Sequence, residues 1–294
     1  MRVIESPREL QAVRRRLLGY VGAVYTMGAL HAGHLSLVKQ AREENDAVIV
    51  SIFLNPIQFN NSDDLARYPR TLEHDLELLE AAEVDIAFTP TSEAMYPPHF
   101  QTMVQVENVS EGLEGTARPH HFRGVATVVA KLFNLTQPVY AYFGQKDAQQ
   151  VVVIRRMVRD LDFPVNVIVC PTVREADGLA LSSRNVHLSD AERAAAPALY
   201  RALQQTAQVY ETGEREPAAL RAAAHEVLAK EPLLSIDYIA LNDPTNLHGV
   251  HTAVETPLLL SIAAFAGKTR LIDNCLLPWS LNTQEDLTAL LGSV

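Results

Sequence analysis

The stretch Y-T-M-G-A-L-H-A-G-H-L-S-L, residues 25–37, decides the expected fold. The apolar run Val21–Tyr25 enters it with the length and composition of a buried strand, and a helical apolar stripe leaves it from Leu35 to Ala41. A tight turn from strand to helix exposes the first N–H groups of the helix, which favour anions. His31 and His34 can donate hydrogen bonds there to a phosphate as negative charge develops on it. The stretch therefore predicts a nucleoside triphosphate site.

A second interpretation of the same residues needs no ligand. His31 could replace the usual N-cap residue of the helix, and His34 could be a satisfied histidine on a half-buried helix. Short motifs match by chance often enough that this stretch alone leaves both interpretations open. The rest of the chain has to decide between them.

Strand and helix patterns alternate on both sides of this stretch. Ser6 with Pro7 and Glu9 forms a capped helix start, which predicts a first helix to about Leu18. Further apolar runs predict buried strands at residues 47–53, 84–88, 139–143 and 165–169, with helices between them. This alternation predicts a parallel sheet with helices on both faces. Residues 90–120 are expected to form a loop-rich flap, in which 102–106 alternates like an edge strand.

From Ser189 onward, the predicted strands and helices no longer alternate. The capping box S-D-A-E predicts a long helix over 189–210, and a second helix is expected over 216–230. Short strands are predicted at 236–241, 258–263 and 270–275. Helices followed by strands predict a smaller α+β domain. We therefore expect two domains, 1–175 and 176–294, with the second closing over the site.

Composition narrows the class of protein. The 294 residues carry a formal net charge of -10, which argues against a general nucleic-acid or anionic-membrane surface. Cys170 and Cys275 are too few for a disulfide scaffold, and both are expected to be buried, inert thiols. The N-terminal residues lack a signal-peptide pattern, and no apolar run reaches about 18 residues. The expected location is the cytosol, with no membrane partner.

Polar groups follow other predicted strands as well. Because ligands of open α/β sheets lie at the carboxyl ends of the strands, Asn55, Gln58 and Tyr68 are placed to contact a small polar substrate. A solvated loop with Asx turns remains an alternative. After the predicted strand 139–143, Lys146 is placed to contact phosphate and Asp147 to accept from ribose hydroxyls. Their alternative is a surface ion pair.

A third cluster lies in the loop that follows residues 165–169. Ser182, Ser183 and Arg184 supply two hydroxyls and a guanidinium, which suit the β- and γ-phosphates because Arg can bind them bidentately. Alone, these residues could equally form a helix entry capped by serine.

Taken together, these segments resemble the pantoate–β-alanine ligase family of the HIGH-motif nucleotidyltransferase superfamily. Seven matching segments occur in the family's order: T-M-G-A-L-H-A-G-H, N-P-I-Q-F, Y-P-R-T, H-F-R-G-V, F-G-Q-K-D-A-Q-Q, P-T-V-R-E-A-D-G-L-A-L-S-S-R-N and G-K-T-R-L-I-D-N. The resemblance implies a Rossmann-like sheet and a homodimer. It also implies that ATP, (R)-pantoate and β-alanine give pantothenate, AMP and pyrophosphate with Mg²⁺, through a pantoyl adenylate. No protein nucleophile is needed.

The resemblance also assigns roles to individual residues. His34, His31 and Lys146 would be catalytic, Gln58 and Gln150 would bind substrate, and Asp75 is the candidate metal ligand. The implied ATP-binding residues are Met27, Gly28, Ala29, Leu30, His31, Ala32, Gly33, His34, Gly144, Gln145, Lys146, Asp147, Val173, Leu181, Ser182, Ser183 and Arg184.

Four positions depart from the family pattern: Tyr25 replaces proline, Ala148 an aromatic residue and Leu181 methionine, and His74 precedes Asp75 where an acidic pair can occur. Two other functions stay open at this point. One is a nucleotidyltransferase with a different acceptor, and the other is a non-catalytic nucleotide-binding module.

Overall fold

The computed structural model describes residues 1–60 and 62–291, except for the side chains of Ser62 and Asp64. Position 61 of the Gln58 loop and residues 292–294 of the expected second domain lie outside the described residues. By its internal contacts the chain divides into two compact units. Among the described residues, the first comprises 1–143 and 153–168, and the second comprises 144–152 and 169–291. The domain boundary near residue 176 stays a prediction.

A six-stranded parallel sheet carries the first part of the chain. Its strands are β1 (Arg2–Ile4), β2 (Val21–Thr26), β3 (Ala47–Ile52), β4 (Ile86–Phe88), β5 (Tyr140–Gly144) and β6 (Asn166–Cys170), in the spatial order β1-β4-β3-β2-β5-β6. The helices between them are α1 (Pro7–Arg14), α2 (Ala32–Glu44), α3 (Ser62–Arg67), α4 (Leu72–Ala81), α5 (Ser92–Met95), α6 (Leu113–Ala117), α7 (His121–Thr136) and α8 (Ala148–Asp160). The parallel α/β fold class is confirmed.

The burial of the central strands accounts for the apolar runs in the sequence. β2 and β3 pair in register from Val21 with Ala47 to Thr26 with Ile52, and almost every residue of both strands is buried. Strands buried on both faces need continuous apolar sequence, which is the pattern seen here. Strand β1 was not predicted, because three residues leave too little pattern to recognise.

The remaining elements form a second, smaller arrangement. Helices α9 (Asp190–Ala195), α10 (Ala198–Glu211) and α11 (Pro217–Leu228) precede an antiparallel sheet β7-β8-β9, formed by Leu234–Asn242, Leu258–Ala266 and Thr269–Leu277. Helix α12 (Gln284–Leu290) follows. Apolar residues of α10, α11 and the sheet form one buried cluster. The predicted C-terminal α+β architecture is confirmed.

Two local predictions were wrong. Residues 102–106 form no strand, and the backbone N–H of Val104 donates instead to the Thr127 hydroxyl on α7. The single helix over 189–210 is two helices, because Pro197 has no N–H to donate within a helix. The capping box at Ser189 and the serine cap at Ser6 are both confirmed.

Among the described residues, no helix combines the length and the hydropathy needed to cross a bilayer.

Candidate active site

The turn between β2 and α2, residues 27–34, holds two imidazoles in a reciprocal cap. His31 is the N-cap of α2, and its Nδ1 accepts from the Gly33 N–H at 3.2 Å. Nδ1 of His34 accepts from the His31 N–H at 3.4 Å, and the two ring centroids are 4.0 Å apart. Because each Nδ1 is an acceptor, a neutral ring carries its proton on Nε2. Both rings are therefore hydrogen-bond donors through Nε2.

This geometry reconciles the two interpretations of the stretch. The N-cap role of His31 is confirmed, and His34 is half-buried near the start of the helix. Each cap bond uses Nδ1 as the acceptor, so the proton of a neutral ring is on Nε2. This is the tautomer in which Nε2 can donate to a phosphate. The surrounding turn, from Met27 to Gly33, contains two residues with left-handed backbone, Gly28 at φ 86° and Ala29 at φ 52°.

Asp75 lies behind this turn. The residue is 1% exposed, and its two carboxylate oxygens accept the N–H groups of Ala29 at 2.9 Å and Leu30 at 2.8 Å. The Thr71 hydroxyl donates to the same carboxylate at 3.1 Å. Across residues 1–60 and 62–291, no group of three or more His, Cys, Asp or Glu side chains could hold a metal ion. Asp75 is thus surrounded by hydrogen-bond donors, and its assignment as a metal ligand stays a prediction.

A chain of hydrogen bonds fixes the direction of the Gln58 amide. The Tyr96 hydroxyl donates to Oδ1 of Asn55 at 2.7 Å, and Nδ2 of Asn55 donates to Oε1 of Gln58 at 2.9 Å. Gln58 therefore presents Nε2 as its donor, which contacts the Met27 sulfur at 3.0 Å. Burial raises the pKa of Tyr96, so its hydroxyl keeps the proton that starts the chain. This polarity suits an acceptor such as a carboxylate or hydroxyl oxygen.

The backbone beneath Gln58 is in close contact with α7. A Cβ on Gly124 would lie 2.5 Å from the carbonyl oxygen of Ile57 and 2.6 Å from Cα of Gln58. Nδ1 of His121 is 2.9 Å from the carbonyl oxygen of Gln58, where it donates. Only glycine at position 124 allows this approach, and no other residue would leave the Gln58 backbone in place.

Tyr25, the departure from the family pattern at the end of β2, is firmly anchored. Its hydroxyl hydrogen-bonds the Thr136 hydroxyl at 2.7 Å, and its ring packs against Phe133 and Phe143. Burial raises the pKa of the Tyr25 hydroxyl above its ordinary value. The strand end before the histidine turn is thus held by side-chain packing where the family pattern has proline.

In the second unit, a side chain of β9 hydrogen-bonds to the turn at residues 144–147, which we call the lysine turn. Nδ2 of Asn274 donates to the carbonyl oxygens of Gln145 and Lys146, both at 3.0 Å. Gln145 is 3% exposed, and its Nε2 donates to Oδ1 of Asn282 at 2.8 Å. Nζ of Lys146 is 3.8 Å from the Asp147 carboxylate, so the ion pair considered from sequence is present. Next in the chain, Ala148 is buried and Gln150 is half-buried in α8.

The loop that carries the serine pair is a narrow hairpin. The Leu181 N–H donates to the Val173 carbonyl at 3.0 Å, and Oγ of Ser182 accepts from the Arg184 N–H at 3.3 Å. The predicted serine cap is therefore present, at the 3₁₀ turn Ser183–His187. Beside the hairpin, Arg174 makes a bidentate ion pair with Asp273, at 2.5 and 2.9 Å.

The comparisons with known proteins agree on one family. The family model described as pantoate-beta-alanine ligase matches residues 2–276. The chain belongs to the pantoate-beta-alanine ligase family. This family is named for joining pantoate to β-alanine, so the chain is an enzyme, a ligase of pantothenate biosynthesis.

Relatives and solved structures give the same result. A pantothenate synthetase of Roseiflexus castenholzii is 57% identical over 277 residues, covering 94% of this chain and 99% of the relative. That of Herpetosiphon aurantiacus is 53% identical over 274 residues, covering 93% and 99%. The crystal structure of pantothenate synthetase from Thermus thermophilus has a TM-score of 0.88 and 50% identity, covering 93% of this chain and 98% of that one.

A further structure of the family was solved with ligands. It is the pantoate-beta-alanine ligase from Francisella tularensis, complexed with beta-gamma ATP and β-alanine. Its TM-score is 0.77 at 36% identity, over 94% of this chain and 97% of that one.

Several residues that hold these turns were not identified from sequence. Tyr96 and Gly124 act on Gln58, while Asn274 and Asn282 hold the lysine turn. D-N at 273–274 stood inside a quoted family segment, which was the available signal. Nothing near Tyr96 in the sequence indicates its contact with Asn55, because 41 residues separate them.

Proposed function

We propose that this ligase uses ATP to activate pantoate as an acyl adenylate and then transfers the acyl group to β-alanine. The pantoate carboxylate attacks the α-phosphate of ATP, and the bond to the bridging oxygen breaks to release pyrophosphate. The β-alanine amine then attacks the activated carbonyl, AMP leaves, and the amine gives up a proton. The products are pantothenate, AMP and pyrophosphate.

The reciprocal cap of His31 and His34 is the observation that carries this proposal. Two Nε2–H donors beside the N-terminus of a 13-residue helix suit an anion whose charge grows during adenylation. Such donors accelerate the step by stabilising charge, so neither imidazole has to form a bond to the substrate. The ATP and β-alanine bound to the Francisella tularensis relative support the same substrates.

The other residues would bind and align the substrates. We assign the phosphates of ATP to Lys146, Ser182, Ser183 and Arg184, and the ribose to Asp147. The remaining residues of 27–34 and 144–147, with Val173 and Leu181, complete the proposed ATP contacts.

Gln58 and Gln150 would hold pantoate. Nε2 of Gln58 is directed as a donor by Asn55, which matches the carboxylate and hydroxyl oxygens of pantoate. Mg²⁺ would arrive as part of MgATP, bound by the phosphates. A homodimer is proposed from the family resemblance. A cytoplasmic location and the closure of residues 176–294 over the substrates are proposed as well.

Isotope transfer tests the adenylate directly. Pantoate labelled with ¹⁸O in its carboxylate, incubated with MgATP and β-alanine, should yield AMP that carries one ¹⁸O atom. ATP–pyrophosphate exchange should require pantoate and proceed without β-alanine. Formation of ADP and phosphate would contradict the adenylate.

The same assays separate the alternative functions. Exchange supported by other carboxylates and not by pantoate would indicate a different acceptor. Absence of AMP with all three substrates would indicate a module that binds nucleotide without catalysis.

A further inference from the structure

The buried carboxylate of Asp75 contacts the histidine turn, residues 27–34, directly. Its oxygens accept the successive N–H groups of Ala29 and Leu30, at 2.9 and 2.8 Å, and it is 1% exposed. Successive N–H groups that point at one anion form a small anion-binding concavity. In this chain the anion in that concavity is the Asp75 carboxylate.

The turn needs this support because its backbone is strained. Ala29 has φ 52°, a left-handed conformation that is unfavourable for a residue with a Cβ. Gly28 has φ 86°, and a Cβ there would lie 3.1 Å from Oδ2 of Asp75. The backbone therefore fits closely around the carboxylate. Without the carboxylate, the buried N–H of Leu30 and the half-buried N–H of Ala29 would lose their acceptor, which favours a different turn.

The residue whose N–H is held by Asp75 is the immediate neighbour of the first imidazole residue. Leu30, whose N–H is held by Asp75, is followed by His31, the N-cap of α2. The direction of the His31 backbone sets its N–H to His34 Nδ1 and therefore the reciprocal cap. On the other side, Asp75 lies in the first turn of α4 and accepts from the Thr71 hydroxyl, so its own position is fixed.

We propose that Asp75 is a positioning residue that holds the His31–His34 pair in its donor geometry, and that it is not a magnesium ligand. The proposal rests on the adenylation function given above. A metal ligand needs an oxygen directed at an accessible ion, whereas both oxygens of Asp75 already accept backbone N–H groups in a buried position.

The central experiment compares Asp75→Asn with Glu73→Gln, a matched control on the exposed side of the same helix. Pantoate-dependent pyrophosphate exchange is measured over a Mg²⁺ titration. Asparagine retains one acceptor and turns its NH₂ towards the other N–H, so we expect kcat to fall roughly 100-fold, as for a catalytic group displaced by about 1 Å. Half-saturation by Mg²⁺ should stay within about twofold of the wild type, and Glu73→Gln should behave as the wild type.

A raised Mg²⁺ requirement with the rate restored at saturating Mg²⁺ would overturn the proposal in favour of a metal ligand. Unchanged kcat and unchanged Mg²⁺ dependence would also overturn it. Thermal unfolding of each variant identifies one that does not fold. In that event Thr71→Val, which removes only the donor to Asp75, should lower kcat several-fold with the same Mg²⁺ dependence. A Thr71→Val enzyme with wild-type kcat would then overturn the proposal.

A second measurement separates this proposal from the proposed function. The ¹⁵N spectra of the histidine side chains are recorded without substrate, so they do not depend on any reaction. The signals of His31 and His34 should shift in Asp75→Asn and remain in place in Glu73→Gln. Unshifted signals in Asp75→Asn would contradict the positioning role. A wild-type enzyme that made no AMP would instead contradict the function and leave this result to stand alone.

Discussion

The histidine turn and the lysine turn are built alike but held differently. Each follows a strand of the parallel sheet and precedes a helix, and each is held by a buried side chain from elsewhere in its own unit. The carboxylate of Asp75 accepts N–H groups of the histidine turn, whereas the Asn274 amide donates to carbonyls of the lysine turn. A buried charged support is more costly to remove than a neutral one. The histidine turn should therefore be the more sensitive of the two.

The largest effect is expected at the imidazoles. His34→Ala removes one charge-stabilising donor, so pantoate-dependent pyrophosphate exchange should slow by roughly 10²–10³-fold. His74→Ala is the matched control, because that side chain is 65% exposed. A near-normal exchange rate in His34→Ala would remove this residue from the mechanism.

Lys146→Ala should give the next largest effect and sharpen the contrast between the turns. Loss of a charged contact costs about 1.5–3 kcal/mol, so kcat/KM for ATP should fall roughly 10- to 100-fold. The KM for β-alanine should change little. Lys39→Ala, at a side chain that is 78% exposed, controls for loss of charge. Equal effects on the two substrates would argue against a phosphate contact.

Asn274→Ala tests the neutral side chain that holds the lysine turn. It removes two neutral hydrogen bonds to the lysine turn, so the KM for ATP should rise about 3- to 10-fold, less than the loss expected from Asp75→Asn. Steady-state kinetics at saturating pantoate measure this rise. A greater loss in Asn274→Ala than in Asp75→Asn would reverse the comparison.

A smaller effect should come from the hydroxyl that directs Gln58. Tyr96→Phe removes one hydrogen bond worth about 1 kcal/mol, so the KM for pantoate should rise roughly fivefold while the KM for ATP is unchanged. The control is Tyr20→Phe, since Tyr20 is 58% exposed. Equal rises for ATP and pantoate would show that Tyr96 does not act through Gln58.

The smallest effect concerns alkaline stability. Burial raises the pKa of Tyr25, before the histidine turn, and of the Cys275 thiol, next to Asn274. The folded state therefore holds these protons more tightly than the unfolded chain, where the values are about 10 and 8.5. The stability is fully present below those values and declines as pH rises above them. Urea unfolding should give a lower free energy at pH 10.5 than at pH 8.

The Tyr25→Phe variant isolates one of the two groups. It lacks the ionisable hydroxyl, so part of the alkaline decline should disappear while stability at pH 8 changes by about 1 kcal/mol. An identical decline in the variant and the wild type would exclude Tyr25 as a source.

The sequence revealed the turns but not their supports. The apolar runs of β2 and β3 predicted buried parallel strands, and the polar residues that follow such strands marked the candidate site. Contacts across the fold could not be read in this way. Asp75 holds Ala29 over a separation of 46 residues, and Asn274 holds Gln145 over 129. Only folding brings these partners together, and no local pattern encodes the pairing.

The tautomer of the histidine pair is the most direct test of this account. In ¹⁵N-labelled enzyme at a pH where the rings are neutral, long-range ¹H–¹⁵N correlation spectra distinguish a protonated from an unprotonated ring nitrogen. We predict that His31 and His34 both carry the proton on Nε2 and leave Nδ1 unprotonated as an acceptor. A proton on Nδ1 of either ring would contradict the reciprocal cap and, with it, the proposed donation to ATP.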